Sequence, residues 1–564
     1  MKPLLLLLAV TRAAFADDAP NADLVLRHGI VHTLDSAQPK AEAIAIAGNR
    51  ILAVGSDADV DKLVAPATRV VDLHSATVIP GFTESHGHLM GLGESRLSVD
   101  LTGTKSWPEI VASVAVETQR MGKSAWIYGR GWHESKWTLP PSPVVRGFPT
   151  HDALSAVTPD NPVVLERADG HAYIVNAKVM SLMGIDHDTR APEGGEVIKD
   201  ADGLPTGVLV DNAMNLVRLP PSSDARRSLA LDLALAESLR KGITSFDDAG
   251  ASVEDIALFK RYANEHKLGP RLYVMVMGYD LLKTYDKPEI GLGDGFLTIR
   301  SVKLVADGAM GSRGAALLEP YDDGGPRSSG FLTTPPEIVL ATARYGLEHG
   351  FQVNVHAIGD RTNRMVLDQF EKAFAEHPEV KDPRFRIEHA QILDAADIPR
   401  FGKLGVIASM QGIHCTSDRP WAESRIGIGR VKEGLYVWRK LLDSGATIIN
   451  GTDVPVEDMD PIKNYYASVT RRPESGGPKE GFDPDQRMTR EEGLVSYTLA
   501  AARGAFAEKD RGSIKVGKLA DLTVLSQDIL TIPDNELLKT RVLYTIVDGR
   551  IRYDASAAPR ASKD

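Results

Sequence analysis

Between about Asn21 and Pro80 the chain alternates short apolar runs with polar turn pairs. Asp23-Leu24-Val25-Leu26, Ala43-Ile44-Ala45-Ile46 and Val70-Val71-Asp72 are interrupted by Gly48-Asn49 and Gly55-Ser56, a spacing that predicts a small antiparallel sheet. The same rhythm returns near the other end, in Leu519-Ala520-Asp521-Leu522-Thr523-Val524-Leu525 and in Val542-Leu543-Tyr544-Thr545-Ile546-Val547, followed by the hairpin signal Asp548-Gly549. Half-sheets at opposite ends of one chain can unite, so residues 21–80 plus 510–555 are expected to form one composite β-sandwich. The middle then folds as a single inserted domain.

Residues 81–505 follow a second rhythm, in which short apolar strands ending in polar or charged residues are separated by helical stretches. That is the pattern of a parallel α/β fold. Eight such strands end near Glu84-Ser85-His86, Asp247-Asp248, Met277-Gly278, Lys303, His356, His389, Gln411 and Asp453. Eight parallel strands with intervening helices close into a (β/α)8 TIM-like barrel. Helical periodicity is clearest over Ser228 to Lys241 and Pro335 to His349, the latter stopping at Gly350 as a C-cap requires. The interval 89–223, after the first barrel strand, exceeds any single βα connection. It is expected to be a large insertion that shapes the site. Its Trp126, Trp132, Trp137 and Phe148 suit either an apolar substrate substituent or, more often for aromatics at such density, a packed core.

Composition narrows the function classes. With 43% hydrophobic and 25% charged residues over 564 positions, the chain is an ordinary globular protein with a sizeable core. A net charge of -11 and the lack of a Lys/Arg run argue against a nucleic-acid partner. Residues 1–16 combine Lys2, an apolar stretch from Leu4 to Val10 and Ala14-Phe15-Ala16, the plan of a signal peptide. Export to the periplasm or the exterior follows, with no membrane attachment after cleavage. Cys415 is the single cysteine, so no intrachain disulfide can form and stability must come from packing and metal.

The strongest local chemistry lies in Gly81-Phe82-Thr83-Glu84-Ser85-His86-Gly87-His88. Residues i and i+2 of an extended chain face one side, so both imidazoles can reach one ion. Neutral imidazole suits borderline divalent metals, of which Zn²⁺ is the commonest choice. His356, His389 and Asp453 also terminate expected strands, and C-terminal strand ends of a barrel converge on one mouth. Four histidines and an aspartate so placed point to a metal site.

On these residues the chain resembles the amidohydrolase superfamily, and most closely its amidohydrolase 3 branch, which includes N-substituted formamide deformylase-like proteins. The matching blocks are His86/His88, Val302-Lys303-Leu304-Val305-Ala306-Asp307-Gly308, Val355-His356-Ala357-Ile358-Gly359-Asp360, Ile387-Glu388-His389-Ala390-Gln391 and Gly451-Thr452-Asp453-Val454-Pro455-Val456. The resemblance implies metal ligands His86, His88, Lys303, His356, His389 and Asp453, holding one or two ions. A protonated Lys303 would repel a cation. Burial near positive charge lowers a lysine pKa, and the neutral amine can take up CO₂ as an anionic carbamate, which in similar proteins bridges two metals. The alternative is a structural ion pair of Lys303 with Asp307 or another carboxylate, which leaves one metal.

The family role of Asp453 is to take a proton from the attacking water and deliver it to the leaving nitrogen. His171 and His414 resemble residues that bind substrate or stabilise an oxyanion. Asp169, Asn176 and Gln411 belong to pocket-lining blocks and Arg313 to a substrate-facing loop, with ordinary hydrogen bonding inside the insertion the equal alternative for Asp169 and Asn176. Departures from the family pattern are Glu84 for a usual Asp, Gly412 for a usual Pro and Thr452 for a usual Ser, none of which removes a ligand. The expected activity is hydrolysis of an N-acyl, N-formyl or similar amide of a small molecule by metal-activated water. The same centre could act on a cyclic amide, a carbamate or an ester, or as a deaminase. A catalytically silent binding protein, which should lose its ligands first, is the rival of another class. Barrels of this type often form homodimers.

Overall fold

The computed structural model describes residues 21–323 and 328–557; the signal peptide expected at 1–16 lies outside the described residues. Eight parallel strands form the central sheet: β1 (Phe82–Gly87), β2 (Ile243–Ala251), β3 (Arg271–Met277), β4 (Leu297–Val305), β5 (Gln352–Ala357), β6 (Arg386–His389), β7 (Ile407–Met410) and β8 (Ile448–Asn450). Each pairs with its neighbours in chain order. Helices such as Asp224–Arg240, Pro336–His349 and Asp360–Glu376 return the chain between strands. Ser223 caps the first through its side chain, and Gly350 ends the second in the left-handed conformation.

Alternation along the strands sorts residues between two buried faces. Val302, Leu304, Val353, Val355, Ile387 and Ala408 join the apolar core between sheet and helices. Their neighbours Lys303, Asn354, Arg386, Glu388 and Ser409 are buried and polar, so hydrogen bonds as well as packing fill the barrel interior. Arg386 bonds Asp247 at 2.9 Å, and Tyr273 Oη donates to Gln352 Oε1 at 3.1 Å.

The sheet closes between β8 and β1 just beyond the regular ladder. Asp453 N–H donates to the His86 carbonyl and His88 N–H to the Val454 carbonyl, both at 2.7 Å. Glu84 reinforces the seam, accepting Thr452 N–H at 2.7 Å and Thr452 Oγ1–H at 2.8 Å. A Cβ at Gly451 would stand 2.5 Å from His86 N, so only glycine allows this approach. Burial of Glu84 raises its pKa from 4.5 to about 8.

Both chain ends build the sandwich. One sheet runs Arg550–Asp554, Val542–Val547, Leu522–Leu525, Thr77–Pro80, Ile30–His32, Lys40–Ala41; the other runs Arg50–Gly55, Ala43–Ala47, Leu24–Arg27, Arg69–Asp72. Leu26, Ile44 and Val71 of the second sheet share a core with Val31, Val78, Val524 and Ile546 of the first. The N-terminal part is mixed and not purely antiparallel, because Leu24–Arg27 runs parallel to Arg69–Asp72 and Ile30–His32 parallel to Thr77–Pro80. The sandwich docks at the N-terminal ends of the barrel strands, where Arg271 Nε reaches Asp521 at 2.7 Å and Thr523 Oγ1 donates to the Gly242 carbonyl at 2.6 Å.

The interval 89–223 covers the opposite end. Helix Leu89–Ser95 belongs to the barrel wall, where Glu94 pairs with Arg226 of the helix Asp224–Arg240 at 2.7 Å. From Val99 to Asp211 the chain forms a six-stranded mixed sheet with an apolar cluster on each face. Trp132 and Phe148 are core, and Trp132 Nε1 donates to the Leu165 carbonyl at 2.9 Å. Trp137 packs against the same cluster and Trp126 against the other. The insertion is fastened to the mouth by Arg130, which donates to the Pro455 carbonyl at 2.7 Å, and by Lys136, 3.6 Å from Glu457.

Two outcomes are expected. Asp521→Ala strands Arg271, which is 2% exposed and keeps only Asp548 as an ionic partner, so a urea unfolding midpoint should report a loss of about 3 kcal/mol. Because the folded pKa of Glu84 lies above its unfolded value, stability is greatest below pH 4.5 on this account and falls as pH rises towards 8. Glu84→Gln mimics the neutral acid, so metal-free E84Q should lose less stability than wild type between those limits.

Candidate metal centre

His86 lies in β1, His356 in β5 and His389 at the end of β6. Asp453 follows β8 by three residues. Strict alternation would send Glu388 and His389 to opposite faces. Instead the backbone leaves the extended region at His389 (φ 74°) and Ala390 (φ 42°), and both side chains reach the barrel interior. Asp453 is also left-handed, at φ 59°. Such conformations cost roughly 1–3 kcal/mol each and recur where a side chain must be aimed at a site.

One ligand atom each from His86, His389 and Asp453 lies within 4.8 Å of the others. His88 Nε2 approaches Asp453 Oδ1 at 3.2 Å, and His86 Nε2 the same oxygen at 3.6 Å. The His356 ring lies 4.5 Å from that of His389, centre to centre, and 5.1 Å from that of His171. His414 Nε2 stands 3.9 Å from Asp453 Oδ2. The structure thus gathers the expected histidines and Asp453 at one end of the barrel.

Tautomers follow from the outer partners. His86 Nδ1 bonds the Glu388 carboxylate, and His389 Nδ1 donates to Gln411 Oε1 at 2.8 Å. Each Nε2 lone pair is therefore turned inward. Burial lowers the pKa of His86, His356 and His389 and favours their neutral form. Burial alone would raise Asp453, yet the hydrogen bond it accepts from His88 and the imidazoles of His86 and His389 turned toward it hold it well below the usual carboxylate range. Glu388 likewise stays ionised despite burial, beside His86 and Arg386.

Lys303 is buried, with Nζ 3.3 Å from His86 Nε2, and burial lowers its pKa against the charges of Glu388, Asp453 and Asp248. Among the described residues no carboxylate pairs with it. The expected alternative partner, Asp307, instead accepts the backbone N–H groups of Ala316, Ile358 and Gly359 at 2.8 to 3.0 Å.

Above the cluster opens a cavity of about 860 Å³, lined by His86, His88, Lys303, His356, His389 and Asp453 and walled by the insertion. His171 enters it from the insertion, bonded through Nδ1 to Asp211 at 2.6 Å. Burial opposes its charge, but Asp211 outweighs this and raises the imidazole to about 9. Asp169 lines the cavity while paired with Arg167.

Three expected substrate contacts do not reach the cavity. Asn176 is fully buried; it caps the helix Ala177–Met183 and bonds Val163, Thr158 and Asn161 within the insertion. Gln411 acts through His389. Arg313 pairs with Asp323 at 2.9 Å and lines a separate hollow of about 330 Å³. Glu388 and Asp211 are functional neighbours that the sequence pattern does not single out. Glu388 carried a signal, since it stands at the same strand end as His389; Asp211 carried none, being joined to the site only by the insertion's fold.

A family model described as "Amidohydrolase family" matches residues 69–553. The putative amidohydrolase YtcJ of Bacillus subtilis (strain 168) is 31% identical over 542 residues, covering 94% of this chain and 99% of its own. The N-substituted formamide deformylase of Arthrobacter pascens is 27% identical over 555 residues, covering 95% of this chain and 99% of its own. An uncharacterized metal-dependent hydrolase from Pyrococcus horikoshii OT3 has a similar structure, with a TM-score of 0.72 and 27% identity over 91% of this chain and 99% of that one.

The bond from His86 to Glu388 makes a specific demand. Glu388→Gln weakens the basicity of His86, so affinity for a divalent cation should fall by about 10- to 100-fold in chelator competition. Unchanged affinity would remove Glu388 from the centre.

Proposed function

This chain belongs to the amidohydrolase family, and from that premise we propose that it is a metal-dependent hydrolase that cleaves the C–N bond of N-formyl or N-acyl amides. The observation that carries the metal is one ligand atom each from His86, His389 and Asp453 within 4.8 Å of one another, beside His356 Nε2 and His414 Nε2, which are buried and have no hydrogen-bond partner among the described residues. Leaving such atoms unmet costs about 1–3 kcal/mol each. Imidazole nitrogens and a carboxylate facing one another are a donor set that a divalent cation satisfies, and Zn²⁺ suits it best. His86, His88, His356, His389 and Asp453 would hold it. When bound, such a cation supplies Lewis acidity that activates water and polarises a carbonyl.

The remaining chemistry falls to the protein. Asp453 is kept ionised and lies beside His88 and His414, so its carboxylate can accept a proton from water. An amine leaves poorly until protonated, and the same carboxyl can deliver that proton to the leaving nitrogen. His171, held cationic by Asp211, can donate to the carbonyl oxygen as negative charge develops there. Lys303 has a lowered pKa and an Nζ that no carboxylate pairs with among the described residues, as carboxylation requires: the neutral amine would add CO₂, release a proton to solvent and, as the anionic carbamate, could hold a second cation.

Support for the amide class comes from the relative named a formamide deformylase, which matches nearly end to end. Export and homodimer formation are proposed on sequence grounds and are read by cell fractionation and light scattering.

A panel of N-formyl and N-acyl amines, offered to enzyme loaded with Zn²⁺, Mn²⁺ or Co²⁺, should release free amine. Asp453→Asn should retain part of the metal while turnover falls by at least ~10²-fold. Near-wild-type turnover in that variant would end the assigned role.

A further inference from the structure

Seven carboxylates among the described residues line the cavity. Six of them pair with a basic side chain: Glu94, Glu166, Asp169, Asp211, Asp453 and Glu457. Asp418 pairs with none. Asp418 is half-buried, and no basic side chain among the described residues comes within ion-pair distance of it; desolvation raises its pKa above the ordinary 3.8 against the more distant charges of His414 and Lys136.

The residue is nonetheless firmly held. Its Oδ2 accepts Tyr436 Oη–H at 2.6 Å and Gln391 Nε2–H at 3.2 Å. These two donors are tied to each other, since Tyr436 N–H donates to the Gln391 carbonyl at 2.9 Å, and Arg471 fixes the Tyr436 carbonyl at 2.8 Å. Oδ1 accepts no hydrogen bond from the described residues, and Asp418 lines the cavity, so this oxygen can receive water or a ligand. Asp418 shares the helix Gly412–Gly434 with His414. Four residues apart, the two lie on one face, about 6 Å from each other along the axis. His414 is 8% exposed, lines the cavity and has an unpartnered Nε2 beside Asp453.

We propose that Asp418 is the anchor for a cationic nitrogen of the substrate, so that the preferred amide carries an ammonium group about one helical turn from the bond that is cut. A mono-acylated diamine has this form. Neutral donors fix one carboxylate oxygen and the ammonium meets the other, giving Asp418 the close cationic partner that Glu94, Glu166, Asp169, Asp211 and Glu457 already have. The assignment rests on the reading of the centre as an amide hydrolase.

The test compares mono-N-formyl diamines with uncharged N-formyl alkylamines of equal length on metal-loaded enzyme. Wild type should favour the charged series in kcat/KM, and Asp418→Asn should cut that preference by about 10- to 100-fold, as expected for loss of a charge-assisted hydrogen bond. The ratio cancels any loss common to both substrates. Binding is read separately: butane-1,4-diamine should raise the melting temperature of wild type and leave D418N unmoved. If D418N does not fold, Tyr436→Phe, which frees the carboxylate from its stronger support, should reduce both effects. If no formamide is hydrolysed, the amide reading falls while the diamine shift still decides the anchor. Equal preference in wild type and D418N, or no diamine shift in wild type, overturns the proposal.

Discussion

Imidazole lone pairs and a single carboxylate turned toward one another at the floor of the cavity are the constraint around which this molecule is built. Each unmet atom destabilises the fold by an amount comparable to a lost hydrogen bond, and the left-handed backbone at His389 and Asp453 adds strain. A fold of marginal net stability tolerates such a cluster only when the surroundings over-determine it. Glu388 and Gln411 do so by fixing the outer nitrogens of His86 and His389. The seam does so by tying the Asp453 backbone to His86 and the Thr452 side chain to Glu84.

The two ends of the barrel divide the remaining work. At the N-terminal ends of the strands the sandwich is joined by a buried Arg271 between Asp521 and Asp548, and it shares no side chain with the cavity. At the C-terminal ends the insertion roofs the cavity and contributes His171 with Asp211. The expected ligands therefore sit on rigid strand ends, while the cavity walls come largely from the insertion and from the helix that carries His414 and Asp418. This separation is why a barrel can keep one centre and vary its substrates.

Much of this was legible in the chain. Strands that end in His86, Lys303, His356, His389 and Asp453 announced both the barrel and the convergence of those residues, because one topological rule brings strand ends together. The insertion's aromatics were ambiguous by composition, and Trp132 and Phe148 proved to be core because their sheet has apolar clusters on both faces. Three kinds of information were not local. The parallel pairing of Leu24–Arg27 with Arg69–Asp72 depends on a chain crossing that alternation does not encode. The roles of Asn176 and Arg313 depend on which way a loop faces, and both are taken up by neighbours, a helix N-terminus and Asp323. Glu388 shares the strand end with His389, but alternation alone would turn the two side chains to opposite faces, and only the positive φ at His389 brings both inward.

Anomalous diffraction from crystals of the metal-loaded protein tests the central claim most directly. At least one peak is expected within about 2.0–2.2 Å of His86 Nε2, His389 Nε2 and an Asp453 oxygen, the separation for Zn²⁺ with such donors. Metal bound elsewhere, or no peak while those three side chains still face one another, would contradict it.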